Sequence, residues 1–332
     1  MVRNKTIDVV KGIGIIFVIL GHMNILFPYC FSFHMQLFFF VSGFLFFYNH
    51  QNSFKKFVSK KFFKLVVPYF LFGFFTMFLF FLLGNRFSLG NVFLYTKLLI
   101  FDIRNTLPFN SPLWFLISLF TISVIYFVLT KYIKSKILIF ITCLSLSYFS
   151  FYFINENIVF SLNWTFYYLI FYAMGDYINH ILHILQKNDK KILKNIYFKL
   201  LSIIIILFAL IVNLSLIKDF SLINRIFYSS EIVNQFGLYQ YCINVVIAIC
   251  GIITWLFISR VISNRDFLFS WIGKNSLIIF ANHIPILMLC GKIFGATTDN
   301  LFFKAIIYIT IIMVLSIPIS HMYTHIYKKI GR

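Results

Sequence analysis

Six polar side chains stand where an apolar sequence has no evident need of them. Asp8, Lys11, His22, His34 and Ser42 fall within Ile7–Phe47, and His283 falls within SLIIFANHIPIL. On a helix turning about 100° per residue, Lys11 lies about 300° and His22 about 320° on from Asp8. The three therefore share one narrow stripe, with Ile15 and Val18 between them. An acid, an amine and an imidazole on one stripe of a greasy helix point to a lined cavity rather than a lipid face. Imidazole titrates near neutrality, so such a histidine suits removal of a proton from an attacking hydroxyl. A buried ammonium suits a phosphate group or the charge that develops on a thioester carbonyl. Each group also has a plain structural use. A histidine can tie two helices together, and Asp8 with Lys11 can form an i,i+3 ion pair. Gly12 and Gly14 allow a backbone or a ligand to come close.

These residues need elements to hold them, and the composition says which. The 332 residues are 61% hydrophobic and 11% charged, with a mean hydropathy of +0.92. Soluble domains carry roughly 25% charged residues, so lipid is the main solvent here. A span needs about 20 apolar residues. Ten stretches qualify, at 7–27, 31–48, 65–84, 112–130, 137–154, 162–182, 200–217, 240–259, 270–291 and 305–327. With the N-terminus cytoplasmic, the inner segments hold 22 of the 29 Lys and Arg residues. The positive-inside rule then places both termini in the cytoplasm. The expected fold is all-α: a polytopic integral membrane protein of about ten transmembrane helices, forming one domain over 1–332. The first apolar run has no small-residue cleavage site and leads straight into the second, so it reads as a retained helix.

In this frame His22, His34 and His283 come from three different spans and lie at similar depth, toward the outer side. Pro285 is placed to kink the ninth span. Asp176, near the inner end of the sixth span, is either interfacial or paired with a basic residue. Ser111–Phe120 opens the fourth span, where Pro112 suits a helix start and Trp114 either anchors an aromatic belt or walls a sugar site. The outer segment 85–111 has an apolar middle too short to span, which fits an interfacial helix or a cap. The inner loop 183–199 is basic and amphipathic, as suits an anionic membrane surface.

Several function classes fall away. The net charge of +20 lies in short clusters between apolar runs, which is membrane topology and not a nucleic-acid footprint. Five scattered cysteines without a CxxC make no disulfide framework. Three dispersed histidines without HxxxH or HExxH make no metal site.

Four segments carry a family resemblance. IDVVKGIGIIFVILGH resembles the first-helix signature of the acyltransferase 3 family of integral membrane O-acyltransferases, most closely the fucose 4-O-acetylase-like branch. FSFHMQLFFFVSGFLFF, SPLWFLISLF and WIGKNSLIIFANHIPIL resemble further segments of that family, in the family's order. Lys11 stands where most members have Arg, and Gln36 stands where Pro is usual. The resemblance implies transfer of an acyl group, usually acetyl from acetyl-CoA, to a sugar hydroxyl. The acceptor would be an envelope polysaccharide, a lipopolysaccharide or a lipid-linked precursor, at a bacterial inner membrane. It implies His22 as catalytic residue, with His34 beside it more weakly. Joined to the residue reading, Lys11 and Asp8 serve the acyl-CoA donor, and Ser42, Trp114 and His283 the substrate. A transporter or flippase of an envelope precursor is the rival reading, since many spans and intramembrane charges suit it too.

Overall fold

The computed structural model describes residues 4–46, 53–84, 87–101, 106–153, 158–188, 196–218, 237–294 and 301–330. All regular structure among the described residues is helical. The helices are α1 (Lys5–His22), α2 (Phe27–Phe44), α3 (Phe54–Lys61), α4 (Val67–Leu82), α5 (Leu89–Phe101), α6 (Trp114–Tyr132) and α7 (Lys136–Phe151). After them come α8 (Leu162–Asn188), α9 (Ile196–Lys218), α10 (Gly237–Ile262), α11 (Leu268–Lys274), α12 (Ser276–Phe294) and α13 (Leu301–Ile330). In lipid every backbone polar group must be satisfied internally, and helices are one of the two ways to do so. Six described segments are both long and apolar enough to cross a membrane. Further apolar helices, among them α1, α2 and α7, pack with these. The chain is a multi-pass membrane protein. Its surface agrees, because Phe74, Phe75 and Phe78 on α4 and Ile204, Phe208 and Ile211 on α9 are exposed side chains that only lipid would tolerate in such density.

α1 is the hub, touching α2, α10, α11, α12 and α13. Asn4 caps its start by accepting from the Ile7 N–H. It ends at His22, because Asn24 and Leu26 take left-handed conformations (φ 58° and 51°) that turn the chain within four residues into α2. A bulky residue such as Leu26 is strained in that region, and the packing of α1 on α2 is what maintains it.

Glycines set the closest approaches. A Cβ on Gly273 would stand 1.7 Å from the Asp8 carbonyl oxygen, and one on Gly12 would stand 2.0 Å from that of Phe269. α1 and α11 thus touch backbone to backbone, which answers the reading of Gly12. Gly14 meets only side chains, those of Leu37 and Phe38. Gly43 and Gly175, like Gly12 and Gly273, bring two backbones together, those of α2 and α8. Buried polar ties add specificity: Tyr29 donates to Asn213 (2.8 Å), and the Trp255 indole N–H donates to Tyr29 (3.0 Å), joining α2, α9 and α10.

Two expectations change and one is decided. The stretch 270–291 is not one helix; it breaks at Asn275 into α11 and α12. The third span begins with a basic helical extension, α3, joined to α4 by a π-helical turn over Phe62–Val66. Pro68 explains the turn: it has no N–H for the Lys64 carbonyl and its ring crowds that oxygen, so the helix widens there. Asp176, left open between an interfacial and a paired place, is paired: it is fully buried, accepting from Tyr126 (2.7 Å) and from Lys136. The apolar middle of 85–111 does form a short helix, α5, largely exposed except for Leu99. Residues 189–195 of the basic loop, and residues 219–236, lie outside the described residues.

Candidate active site

Two groups of polar residues lie along α1, and the structure connects them. The first surrounds a cavity of about 180 Å³ lined by Lys11, Ser42, Lys64, Lys274 and Ser276, with Phe38, Phe115 and Phe280 among its apolar walls. Three cations from three elements converge here. Lys11 rises from α1, where its Nζ lies 3.5 Å from Asp8. The π-helical turn carries Lys64, and Lys274 ends α11. Ser276 and Leu277, the first residues of α12, also line the cavity. The positive end of that helix therefore faces the same space. Anions are the ligands such a site favours.

The second group is the histidines. His22, the last residue of α1, lies 5.2 Å from His283 between ring centroids. Phe31 touches both His22 and His34, its ring 5.5 Å from the first and 4.9 Å from the second. His283 is wholly buried on α12. Its Nδ1 lies 2.6 Å from the Phe280 carbonyl, so that nitrogen carries the proton and donates. The lone pair is then on Nε2, which is buried and has no hydrogen-bond partner. His34 Nδ1 likewise donates to the Cys30 carbonyl.

Phe280 joins the groups. It lines the cavity, and its ring is 5.7 Å from that of His283. Along α1, Lys11 and His22 are about 17 Å apart at 1.5 Å per residue. A flexible chain of about 14 Å, roughly four extended residue-lengths, spans most of that distance.

Pro285 on α12 shows how the surroundings are stiffened. It leaves the Ala281 carbonyl without its intrahelical donor. Asn110, wholly buried, supplies one through its side-chain amide at 2.8 Å. The segment before α6 is thereby pinned to the helix that carries His283.

Of the residues singled out from the sequence, the structure gathers Lys11 with Ser42, and His22 with His283 and His34. Asp8 stays with Lys11, about 21 Å along the axis from His22. Trp114 is 5% exposed and packs on Trp164 and Tyr168, apart from the lysine cavity. Sequence reasoning did not single out Lys64, Lys274 or Asn110. Pro68 and Pro285 were the available signals for Lys64 and Asn110, since each proline frees a carbonyl four residues earlier.

No group of three or more metal-ligating side chains occurs among the described residues. A family model described as an acyltransferase domain matches residues 4–324. No curated protein and no solved structure matches the chain.

Proposed function

The chain belongs to this acyltransferase-domain family, and from that premise we propose that it moves an acetyl group from cytosolic acetyl-CoA to a sugar hydroxyl of an envelope glycan or its lipid-linked precursor. The observation that carries this reading is the three-lysine cavity, one of whose walls, Phe280, packs against His283 of a pair of adjacent imidazoles. The lysines and the α12 N-terminus hold the donor's phosphates. The donor's pantetheine arm, about 14 Å when extended, runs along the α1 stripe and carries the thioester toward His22. An acceptor hydroxyl approaches from the opposite end of the bundle. His22 removes its proton as the oxygen attacks the acyl carbon, and the thiolate leaves as CoA. Likeness of the first helix to fucose 4-O-acetylase-like members supports acetyl as the group and a sugar as the acceptor. The basic inner face supports a donor that comes from the cytoplasm of a bacterial cell.

Two donors test the reading. Acetyl-CoA carries the phosphates, whereas acetyl-N-acetylcysteamine keeps the thioester and lacks them. In purified protein reconstituted in lipid, Lys274→Glu raises the KM for acetyl-CoA by about tenfold, since a reversed charge costs on the order of 1.4 kcal/mol near a phosphate. It leaves the KM for the truncated donor unchanged. Equal effects on both donors remove the phosphate assignment, and full turnover by His22→Ala removes the base. The break at Asn275 is a device that transporters also use. Release of free CoA on turnover separates the readings, because a carrier releases none.

A further inference from the structure

His22 alone is an incomplete base. In a hydroxyl-activating site the imidazole is held in one tautomer by a partner on its second nitrogen, most often a carboxylate. Neither His22 nor His283 forms an ion pair among the described residues, where Asp8 pairs with Lys11 and Asp176 with Lys136. Asp8 is too distant along the helix. His34 gives its Nδ1–H to the Cys30 carbonyl and packs on Phe31. The group that stands against His22 is His283.

We propose that His283 is the positioning residue of His22, resting on the reading of His22 as base. Three observations carry it. The His283 ring is fixed by its Nδ1–H donating to the Phe280 carbonyl. Its remaining nitrogen, Nε2, is therefore an acceptor, and it is buried without a partner, a state that costs about 1–3 kcal/mol if nothing ever fills it. At 5.2 Å between centroids, a ring rotation of His22 brings one of its nitrogens within hydrogen-bond reach, about 2.6–3.2 Å, of that acceptor. In the completed arrangement one nitrogen of His22 donates its N–H to His283 Nε2. The other turns its lone pair toward the acceptor hydroxyl. As the acceptor oxygen bonds to the acyl carbon and the carbon–sulfur bond breaks, the hydroxyl proton passes to His22. It then leaves His22 for the departing thiolate, so the products are the ester and the free thiol. His283 keeps its own proton throughout and spreads the charge that His22 gains.

The two nitrogens of His283 can be deleted separately. His283→Asn keeps an amide donor near the Nδ1 position for the Phe280 carbonyl and removes Nε2. His283→Gln places an amide oxygen near the Nε2 position and restores an acceptor. In the full chain in lipid, His283→Asn lowers kcat by at least about tenfold, within the range of general-base effects, with the KM for acetyl-CoA unchanged. His283→Gln recovers a substantial part of that kcat. The proposal is overturned if His283→Asn keeps wild-type kcat, if Asn and Gln are equally impaired, or if KM alone moves. His22→Ala in the same series separates the two levels. If it is inactive while His283→Asn is fully active, only the positioning role fails; if it is fully active, the base assignment itself fails.

Discussion

Gly273→Ala is the sharpest perturbation the fold offers, because it acts on the helix pair beside the three-lysine cavity without touching a cavity-lining side chain. The added Cβ would stand 1.7 Å from the Asp8 carbonyl oxygen, where contacts under 3.0 Å do not occur. The two backbones must part by the difference, about 1.3 Å. No flexible side chain can yield, since both sides of the contact are main chain. Overpacking of this kind costs about 1–3 kcal/mol. The displacement also falls between Lys11 on α1 and Lys274 at the end of α11, two of the three cations around the cavity. Misplacement by about 1 Å can cost on the order of a hundredfold in rate. We therefore expect a lower thermal midpoint and a loss of at least about tenfold in kcat/KM for acetyl-CoA. Gly291→Ala is the control: it lies on α12, and a Cβ there has no atom within 4 Å. It should leave turnover unchanged and the thermal midpoint the same or slightly higher, since alanine is the better helix former. Wild-type stability and turnover in Gly273→Ala would refute the backbone-to-backbone packing of α1 on α11, and with it the argument that this contact sets the cavity.

Two more outcomes follow from the buried polar contacts. Asn110→Ala strips the Ala281 carbonyl of its donor and should cost about 1–2 kcal/mol of stability. Pro285→Ala restores an intrahelical N–H to that carbonyl, so in the double variant the Asn110→Ala loss should shrink; strict additivity in thermal or denaturant unfolding would disprove the link. Lys136→Met leaves Asp176 charged, buried and short of a cation, and should destabilise by about 3–5 kcal/mol. Adding Asp176→Leu should recover most of that loss, and a double variant as unstable as Lys136→Met would count against the pairing.

Sequence and structure divide the site between them in a physical way. The alternation of apolar runs with basic clusters fixes a helical membrane protein, because lipid admits few other backbones. Helical periodicity alone places Asp8, Lys11 and His22 on one stripe, and it does so before any packing is known. Span depth puts three imidazoles at a similar level, and His22 and His283 do meet. What periodicity cannot supply is which helix faces which. That Lys64 and Lys274 join Lys11 depends on a π-helical turn and a helix break, both of which arise where local hydrogen bonds fail and tertiary neighbours decide the outcome. The burial of Asp176 depends on Tyr126 and Lys136 arriving from two other helices. The seating of Trp114 against Trp164 and Tyr168 depends on how α6 meets α8. The order of residues thus determined the path along α1 and the kinds of group on it. Only the packed bundle decided that His283 stands against His22 with one nitrogen held and the other open, because contacts between distant segments are set by close packing and not by spacing along the chain.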